Sequence, residues 1–174
     1  MHMFFILIEN KMAMVSCFRR SNFSATGRIT RLIHNHGLNP KEMKKDVIGP
    51  ADPVSNLRPI LFRIPEKESE LEKKLRLKRE EIQKWNQEFW ATHNNNFLKQ
   101  KRDFVNSLSS DEVKAKEKKA LTSEEMSEFY KDFLDNHWEV HLTYNKEWYK
   151  RNLDLLFLTY RVKCNNLLKK LISF

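Results

Sequence analysis

Residues 69–89, SELEKKLRLKREEIQKWNQEF, contain the pattern that decides the fold of this chain. Ser69 is followed three residues later by Glu72, and this pair is the capping box that marks a helix start. Beyond it, apolar residues recur at spacings of three, four and seven, while Lys, Arg and Glu occupy the other side. This periodicity predicts a long amphipathic helix over residues 69–106. Its apolar stripe consists of Leu71, Leu75, Ile82, Trp85 and Phe89.

Two further helices are predicted nearer the C-terminus. A second capping box, Thr122 with Glu125, opens a predicted helix over residues 122–143, and another helix is predicted over residues 145–172. The stripe of the middle helix consists of Met126, Phe129, Phe133, His137, Val140 and Tyr144. The last helix has one apolar face with Leu153, Phe157, Tyr160, Cys164, Leu167 and Leu171, and another with Leu155, Leu158 and Val162. A helix that is apolar nearly all round is either central in a bundle or in contact with a partner or a bilayer.

Glycine and proline are confined to the N-terminal part of the chain. No glycine follows Gly49, and all five prolines precede residue 66. The lack of glycine in the remainder argues against sheets with tight turns. The prolines predict that residues 46–66 are extended, without regular structure, and packed along the helices. We therefore predict an all-α fold, a small bundle of about three long helices with this proline-containing segment packed on it.

The N-terminal segment has the charge pattern of a targeting sequence. It contains no Asp or Glu from Asn10 to Pro40. Five basic residues fall in the same stretch, namely Lys11, Arg19, Arg20, Arg28 and Arg31. An acid-free N-terminus with Arg and Ser is typical of a mitochondrial transit peptide. A secretory signal is disfavoured, because the apolar run from Phe4 to Ile8 is short and follows no positive charge.

These observations divide the chain into two parts. We predict that residues 1–45 are a mitochondrial transit peptide and disordered linker, cleaved within residues 25–46. We predict that residues 46–174 are one helical domain. The alternative interpretation of the N-terminal segment is a basic arm that binds nucleic acid.

Composition narrows the class of protein. The net charge is +9, most of it N-terminal, and the mild basic excess of the remainder predicts no nucleic-acid partner. Cys164 is the single cysteine beyond the predicted transit peptide, so neither an intramolecular disulfide nor a paired-cysteine zinc site is predicted. The sequence has no Gly-rich phosphate loop, nucleophile elbow or His-Glu-x-x-His pair. We predict that the protein is not an enzyme.

His137 and His141 are the one chemically suggestive pair. Their spacing of four places both imidazoles on one helical face, where they could share a metal ion or ligate haem iron singly. The alternative is that His137 packs in the stripe and His141 lies at its wet edge. We predict no resident cofactor, with haem as the alternative.

Aromatic residues outside the stripes form a second signal. Trp90, Trp138 and Tyr149 fall off the predicted stripes, and such side chains often anchor a protein partner. Residues 145–152, NKEWYKRN, mix aromatic with basic side chains before an apolar run. This block either lies at a membrane surface or simply starts a helix with solvated Lys and Arg.

Four blocks of the sequence closely resemble the apoptogenic protein 1 family of mitochondrial cytochrome c oxidase assembly factors. The resemblance covers roughly residues 46–155, with the blocks in family order. The blocks are IGPADPVSNLRPILFRIPEKESELEKKLR (48–76), WNQEFW (85–90), EEMSEFYKDFL (124–134) and YNKEWYKRN (144–152).

The resemblance implies a function and a location. It implies a matrix-side protein, peripheral to the mitochondrial inner membrane, that supports assembly or stability of cytochrome c oxidase and is linked to oxidative stress and apoptosis. It implies partners among the oxidase subunits or assembly intermediates, and no enzymatic activity. A haem- or metal-binding chaperone and a mitochondrial RNA-binding protein are the alternatives. The predicted partner-binding residues are Asn56, Leu57, Arg58, Trp90, Trp148, Tyr149, Lys150 and Arg151.

Overall fold

The computed structural model describes residues 39–109 and 122–172. Within these ranges the chain consists of two long helices and one short antiparallel sheet. Helix α1 spans Glu70–Ser109 and helix α2 spans Ser123–Ile172. The strands β1, Val47–Ile48, and β2, Ile60–Leu61, precede both helices. The described part of the chain is therefore mostly helical, as predicted.

Both helices begin at the capping boxes that the sequence predicts. The backbone N–H of Ser69 donates to Glu72 Oε2 over 2.9 Å, and the N–H of Glu72 donates to Ser69 Oγ over 3.4 Å. The N–H of Thr122 donates to Glu125 Oε2 over 2.8 Å, and the N–H of Glu125 donates to Thr122 Oγ1 over 3.2 Å. Each box satisfies backbone donors that have no partner inside the helix, so each helix start is fixed locally.

The predicted count of three helices is not confirmed in the described residues. The predicted helices 122–143 and 145–172 form the single helix α2, which passes through Tyr144 and Asn145 without a break. No Gly or Pro occurs in this stretch, so nothing interrupts its backbone hydrogen bonds. With 50 and 40 residues, α2 and α1 are about 75 Å and about 60 Å long at a rise of ~1.5 Å per residue.

The N-terminal segment contains a short sheet where we predicted no regular structure. Val47 pairs with Leu61, and Ile48 pairs with Ile60, in an antiparallel register. The N–H of Gly49 donates a hydrogen bond to the carbonyl of Pro59 over 2.8 Å, which extends the strand pairing by one hydrogen bond. The prediction was wrong here because the pairing joins residues more than ten positions apart, which local residue preferences do not reveal.

A tight loop connects the two strands. The buried Asp52 carboxylate accepts hydrogen bonds from the N–H groups of Val54 and Ser55 over 2.8 and 2.9 Å. Asn56 has a φ of 60°, a left-handed conformation that Asn tolerates better than most residues. These features reverse the chain without a glycine at the turn.

Side-chain amides of α1 attach this segment to the helix pair. Gln83 accepts from the N–H of Ile60 over 2.8 Å and donates to the carbonyl of the same residue over 3.1 Å. Asn94 donates to the carbonyl of Val54 over 2.7 Å. The guanidinium of Arg79 lies over the Phe62 ring at 5.1 Å. The segment therefore packs along α1.

The two helices run antiparallel, and the buried core lies near the ends that the connection 110–121 joins. Phe97 of α1 contacts Phe129 and Phe133 of α2, and all three are at most 5% exposed. At the other end of α1, Glu72 Oε1 accepts a hydrogen bond from Asn166 Nδ2 over 2.9 Å. The contact between the helices thus changes from aromatic to polar along their length.

Candidate functional site

Tyr144 lies at the centre of an aromatic cluster between α1 and α2. Its ring stacks on Phe89 and Trp85, with centroids 4.1 and 5.3 Å apart. Its hydroxyl donates to Asn86 Oδ1 over 2.6 Å and accepts from Trp90 Nε1 over 2.9 Å. Burial raises the pKa of Tyr144, while the hydrogen bond from Trp90 acts in the opposite direction. Because both its polar contacts and its ring contacts are on α1, Tyr144 fixes the register of the helices.

Three histidines meet two turns along the same interface. His93 of α1 is 4% exposed, and its Nε2 lies 3.1 Å from Nε2 of His141. The ring of His137 lies 5.8 Å from the ring of His93 and stacks on Phe133 at 4.2 Å. His93 was not among the residues predicted for this site, although it follows Phe89 by four residues and extends the stripe of α1.

The stripe predicted for the first half of α2 was wrong at one position. Val140 is 46% exposed, and His141 lies against α1 in its place. Steps of three and four residues are both compatible with one face of a helix, so the spacing alone did not distinguish these neighbours.

The buried imidazoles resist protonation. Burial, followed by the charges of His141 and His137, lowers the pKa of His93 to about 4. Burial, followed by the charge of His137, also lowers the pKa of His141. An apolar interface disfavours a charged ring, so these side chains are neutral at physiological pH.

One nitrogen atom of each ring in this histidine cluster has a partner within the protein. His137 Nδ1 donates to the carbonyl of Phe133 over 2.8 Å, and the facing Nε2 atoms of His93 and His141 share one hydrogen bond. Among the described residues, no group of three or more His, Cys, Asp or Glu side chains has the arrangement of a metal site. The arrangement favours packing for His137 and His141, and haem or metal binding stays the untested alternative.

The predicted partner-binding residues of α2 divide into two groups. Arg151 bridges the helices, since its guanidinium lies 3.2 Å from Glu81 of α1 and 2.7 Å from Glu147, and covers the Trp85 ring at 4.7 Å. Its contacts therefore stabilise the helix pair. Tyr149 and Lys150 are exposed, whereas Trp148 is half-buried with its ring 5.2 Å from that of Tyr149.

The predicted residues of the N-terminal segment lie on the loop before β2. Arg58 is exposed, while Asn56 and Leu57 are half-buried. Gln83 of α1 binds the backbone of the nearby Ile60. Gln83 lies two residues after Glu81, which pairs with Arg151. The two predicted regions are therefore attached to neighbouring positions of α1. Trp90, the remaining predicted residue, uses its indole N–H within the Tyr144 cluster.

The C-terminal half of α2 presents an apolar surface that the described residues leave uncovered. Val162 is buried toward α1, but seven large apolar side chains on the other side are 53–67% exposed. We call them the C-terminal stripe, which consists of Leu153, Leu156, Phe157, Tyr160, Leu167, Leu168 and Leu171. The sequence indicated that this helix is either central in a bundle or in contact with a partner or a bilayer. Among the described residues it is not central in a bundle, so contact with a partner or a bilayer remains. No helix in the described ranges is long and apolar enough to span a bilayer.

Comparison with known proteins identifies relatives over most of the chain. A sequence model of the family described as cytochrome c oxidase assembly factor 8 matches residues 45–168. The Bos taurus protein of that name is 46% identical over 141 residues, which cover 76% of this chain and 71% of the relative. The Homo sapiens protein of that name is 43% identical over 137 residues, or 76% and 66% of the two chains. A Drosophila melanogaster protein, named as a mitochondrial member of the COA8 family, is 41% identical over 133 residues, or 76% and 73%. No solved structure matches this chain.

Proposed function

This chain belongs to the cytochrome c oxidase assembly factor 8 family, and we propose that it supports the assembly and stability of cytochrome c oxidase by binding, without catalysing a reaction. The observation that carries the proposal is the match over residues 45–168, which includes almost all of the described fold. The bovine and human relatives are named as cytochrome c oxidase assembly factors.

We propose that the protein works in mitochondria, at the matrix face of the inner membrane. Relatives from Drosophila melanogaster and Caenorhabditis elegans are named as mitochondrial. Residues 148–172 contain six basic residues and one acidic residue, Asp154. Such an excess of positive charge is attracted to the anionic surface of a membrane, which supports a peripheral location. The link to oxidative stress and apoptosis stays a prediction from the resemblance.

In this role the protein binds oxidase subunits or assembly intermediates. Arg58, Tyr149 and Lys150 are the members of the predicted partner-binding set with exposed side chains. Aromatic and Arg side chains contribute strongly to protein interfaces, so these exposed members are the ones we propose to contact a partner. Asn56, Leu57, Trp148 and Arg151 then act by holding them in place.

Removing the gene from cultured cells tests this function. We expect loss of assembled cytochrome c oxidase on native gels, with the other respiratory complexes spared and restored assembly when the gene is returned. A normal level of assembled oxidase would overturn the proposal. A general loss of mitochondrial translation would instead support the RNA-binding alternative, which also requires RNA affinity that falls steeply with salt.

A haem- or metal-handling role is the second candidate. The observation in its favour is the approach of His93 to His137 and His141, which places three imidazoles together. Its test is a haem titration, described below.

A further inference from the structure

We propose that the C-terminal stripe, with the groove beside it, binds an amphipathic α-helix of a partner protein whose edges are acidic. The inference depends on the proposed binding function, and it names the kind of partner segment that the protein recognises. Three features of the described residues support it, namely the spacing of the stripe, the shape of the groove and the charge along its edges.

The spacing of the stripe is that of a helix-packing seam. Six positions alternate in steps of four and three: Leu153, Phe157, Tyr160, Cys164, Leu167 and Leu171. This repeat of 3.5 residues keeps apolar side chains facing a second helix along several turns. Leu156 and Leu168 widen the surface on either side.

The groove beside the stripe has two helical walls. Leu71 of α1 lies opposite Tyr160, Cys164 and Leu168 of α2, and the space between them has a volume of about 350 Å³. A helix placed there would contact both α1 and α2, as peptide helices do in the apolar grooves of other proteins. The groove is shallow and open, so it adds a contact with α1 without enclosing the occupant.

The edges of the stripe determine the charge of the occupant. Residues seven positions apart lie on the same side of a helix. Lys163 and Lys170 therefore lie on the edge that contains Leu156, and Arg161 lies on the edge that contains Leu168. Residues 153–172, which contain the stripe, carry a net charge of +3, from four basic residues and one acidic residue. A second copy of this chain would place like charges at these edges, which disfavours self-association. Glu or Asp on the partner would form ion pairs there.

Fluorescence anisotropy with the purified full chain tests the proposal. The probe is a fluorescein-labelled three-heptad peptide with Leu at the a and d positions and Glu at e and g. A matched peptide has Lys at e and g. We expect the acidic peptide to bind at least about tenfold more tightly than the basic one, which corresponds to ~1.4 kcal/mol. Equal binding of the two peptides, or binding of neither, would overturn the inference.

Matched variants locate the binding surface. Leu167→Glu and Phe157→Glu place a carboxylate in the stripe at side chains that are 59% and 65% exposed, so folding is retained. We expect each to weaken binding of the acidic peptide at least about tenfold. Leu98→Glu, at an exposed position of α1, is the control and should bind like the unaltered chain. Circular dichroism confirms that all three variants are helical. Unchanged affinity in both stripe variants overturns the proposal.

Two further measurements separate the other occupants. Vesicles of phosphatidylcholine with one-fifth cardiolipin report lipid binding, and sedimentation velocity reports self-association. The inference is overturned if the acidic peptide does not bind and the chain instead binds vesicles or forms a dimer. If Leu167→Glu abolishes that binding or that dimer, lipid or a second copy is the occupant of the stripe. Loss of oxidase after gene removal without peptide binding overturns this inference alone. Normal oxidase after gene removal overturns the proposed function, whatever the peptide does.

Discussion

The imidazoles of His93 and His141 face each other across the interface of α1 and α2, with their Nε2 atoms 3.1 Å apart. At this distance one ring must donate its Nε2 proton and the other must accept it, so one proton lies between the two nitrogens. Protonating both rings would remove the acceptor and bring two positive charges together in a buried site. The geometry therefore links the helix interface to pH.

The protein should lose stability as the pH falls from 6.5 toward 4. The pKa of His93 is lowered from 6.5 to about 4, so in this range the unfolded chain binds more protons than the folded chain. The lowered pKa of His141 acts in the same direction. Well above pH 6.5 both states are neutral at these positions, and the dependence disappears. Urea unfolding at pH 7.0, 6.0 and 5.0 measures the effect.

A variant isolates the histidine contribution. His93→Gln keeps a hydrogen-bonding side chain but does not titrate, so we expect a smaller fall in stability between pH 7 and pH 5. Asn95→Gln, at an exposed position of the same helix, should keep the full dependence. An identical pH dependence in His93→Gln and the unaltered chain would show that the cluster is not the cause.

Tyr144→Phe should destabilise the helix pair by about 1–3 kcal/mol, since it leaves Asn86 Oδ1 and Trp90 Nε1 without their hydrogen-bond partner in a partly buried site. Tyr149→Phe removes a hydroxyl from a residue that is 48% exposed, and we expect a change within about 0.5 kcal/mol. Denaturant unfolding of both variants gives the comparison. Equal effects would contradict the role of the Tyr144 hydroxyl.

Phe133→Ala should destabilise by about 3–5 kcal/mol, because the ring is 2% exposed in the aromatic core and its removal leaves a cavity. A loss of this size is a large part of the stability of a small domain. Phe157→Ala is the matched control, since its ring is 65% exposed and its loss should leave the melting temperature nearly unchanged. A large loss in Phe157→Ala would mean that the described fold covers this face.

Residues 1–50, fused to a fluorescent protein, should direct it into mitochondria, and a diffuse cytosolic signal would contradict the prediction.

The mature protein should begin before Asn39. The carbonyl of Pro40 accepts a hydrogen bond from the N–H of Ile64 over 2.9 Å, and Met43 is 8% exposed, so removing them would uncover the segment. N-terminal sequencing of the protein from isolated mitochondria identifies the cleaved bond.

Titration of the purified chain with haem should leave the absorbance spectrum of haem unchanged, because the Nε2 atoms of His93 and His141 face each other between the helices and the ring of His137 stacks on Phe133. His137→Ala and His141→Ala should give the same result. A shifted absorbance band that either substitution abolishes would establish the alternative, an imidazole-ligated haem.

Local patterns in the sequence predicted the helices well. Each capping box joins residues three apart, and the stripe of α1 follows from its spacing, so Ser69, Thr122 and Phe89 required no tertiary information. The continuity of α2 was missed because the neutral stretch around Asn145 resembled a boundary. The absence of Gly and Pro permits one helix here, and the packing of Tyr144 against α1 holds it in place.

Contacts between distant parts of the chain could not be predicted. Gln83 and Ile60 are 23 residues apart, and His93 and His141 are 48 apart, so no periodicity connects them. The charge of Arg151 suggested a partner, yet its counterion is Glu81 on the other helix. The sequence indicated contact of α2 with a partner or a bilayer as one alternative. A single neighbouring helix cannot bury both apolar faces of such a helix.

The antiparallel pairing of α1 and α2 sets an order of events during folding. Phe104 meets Phe129 near the connection, whereas Glu72 meets Asn166, 94 residues further along the chain. A polypeptide emerges from a ribosome or a translocase with its N-terminus first, so the start of α1 appears long before its partner. Closure then proceeds from the aromatic end toward Glu72, where the entropy of loop formation is largest. Until Asn166 has emerged, the first turns of α1 keep the side that faces α2 exposed.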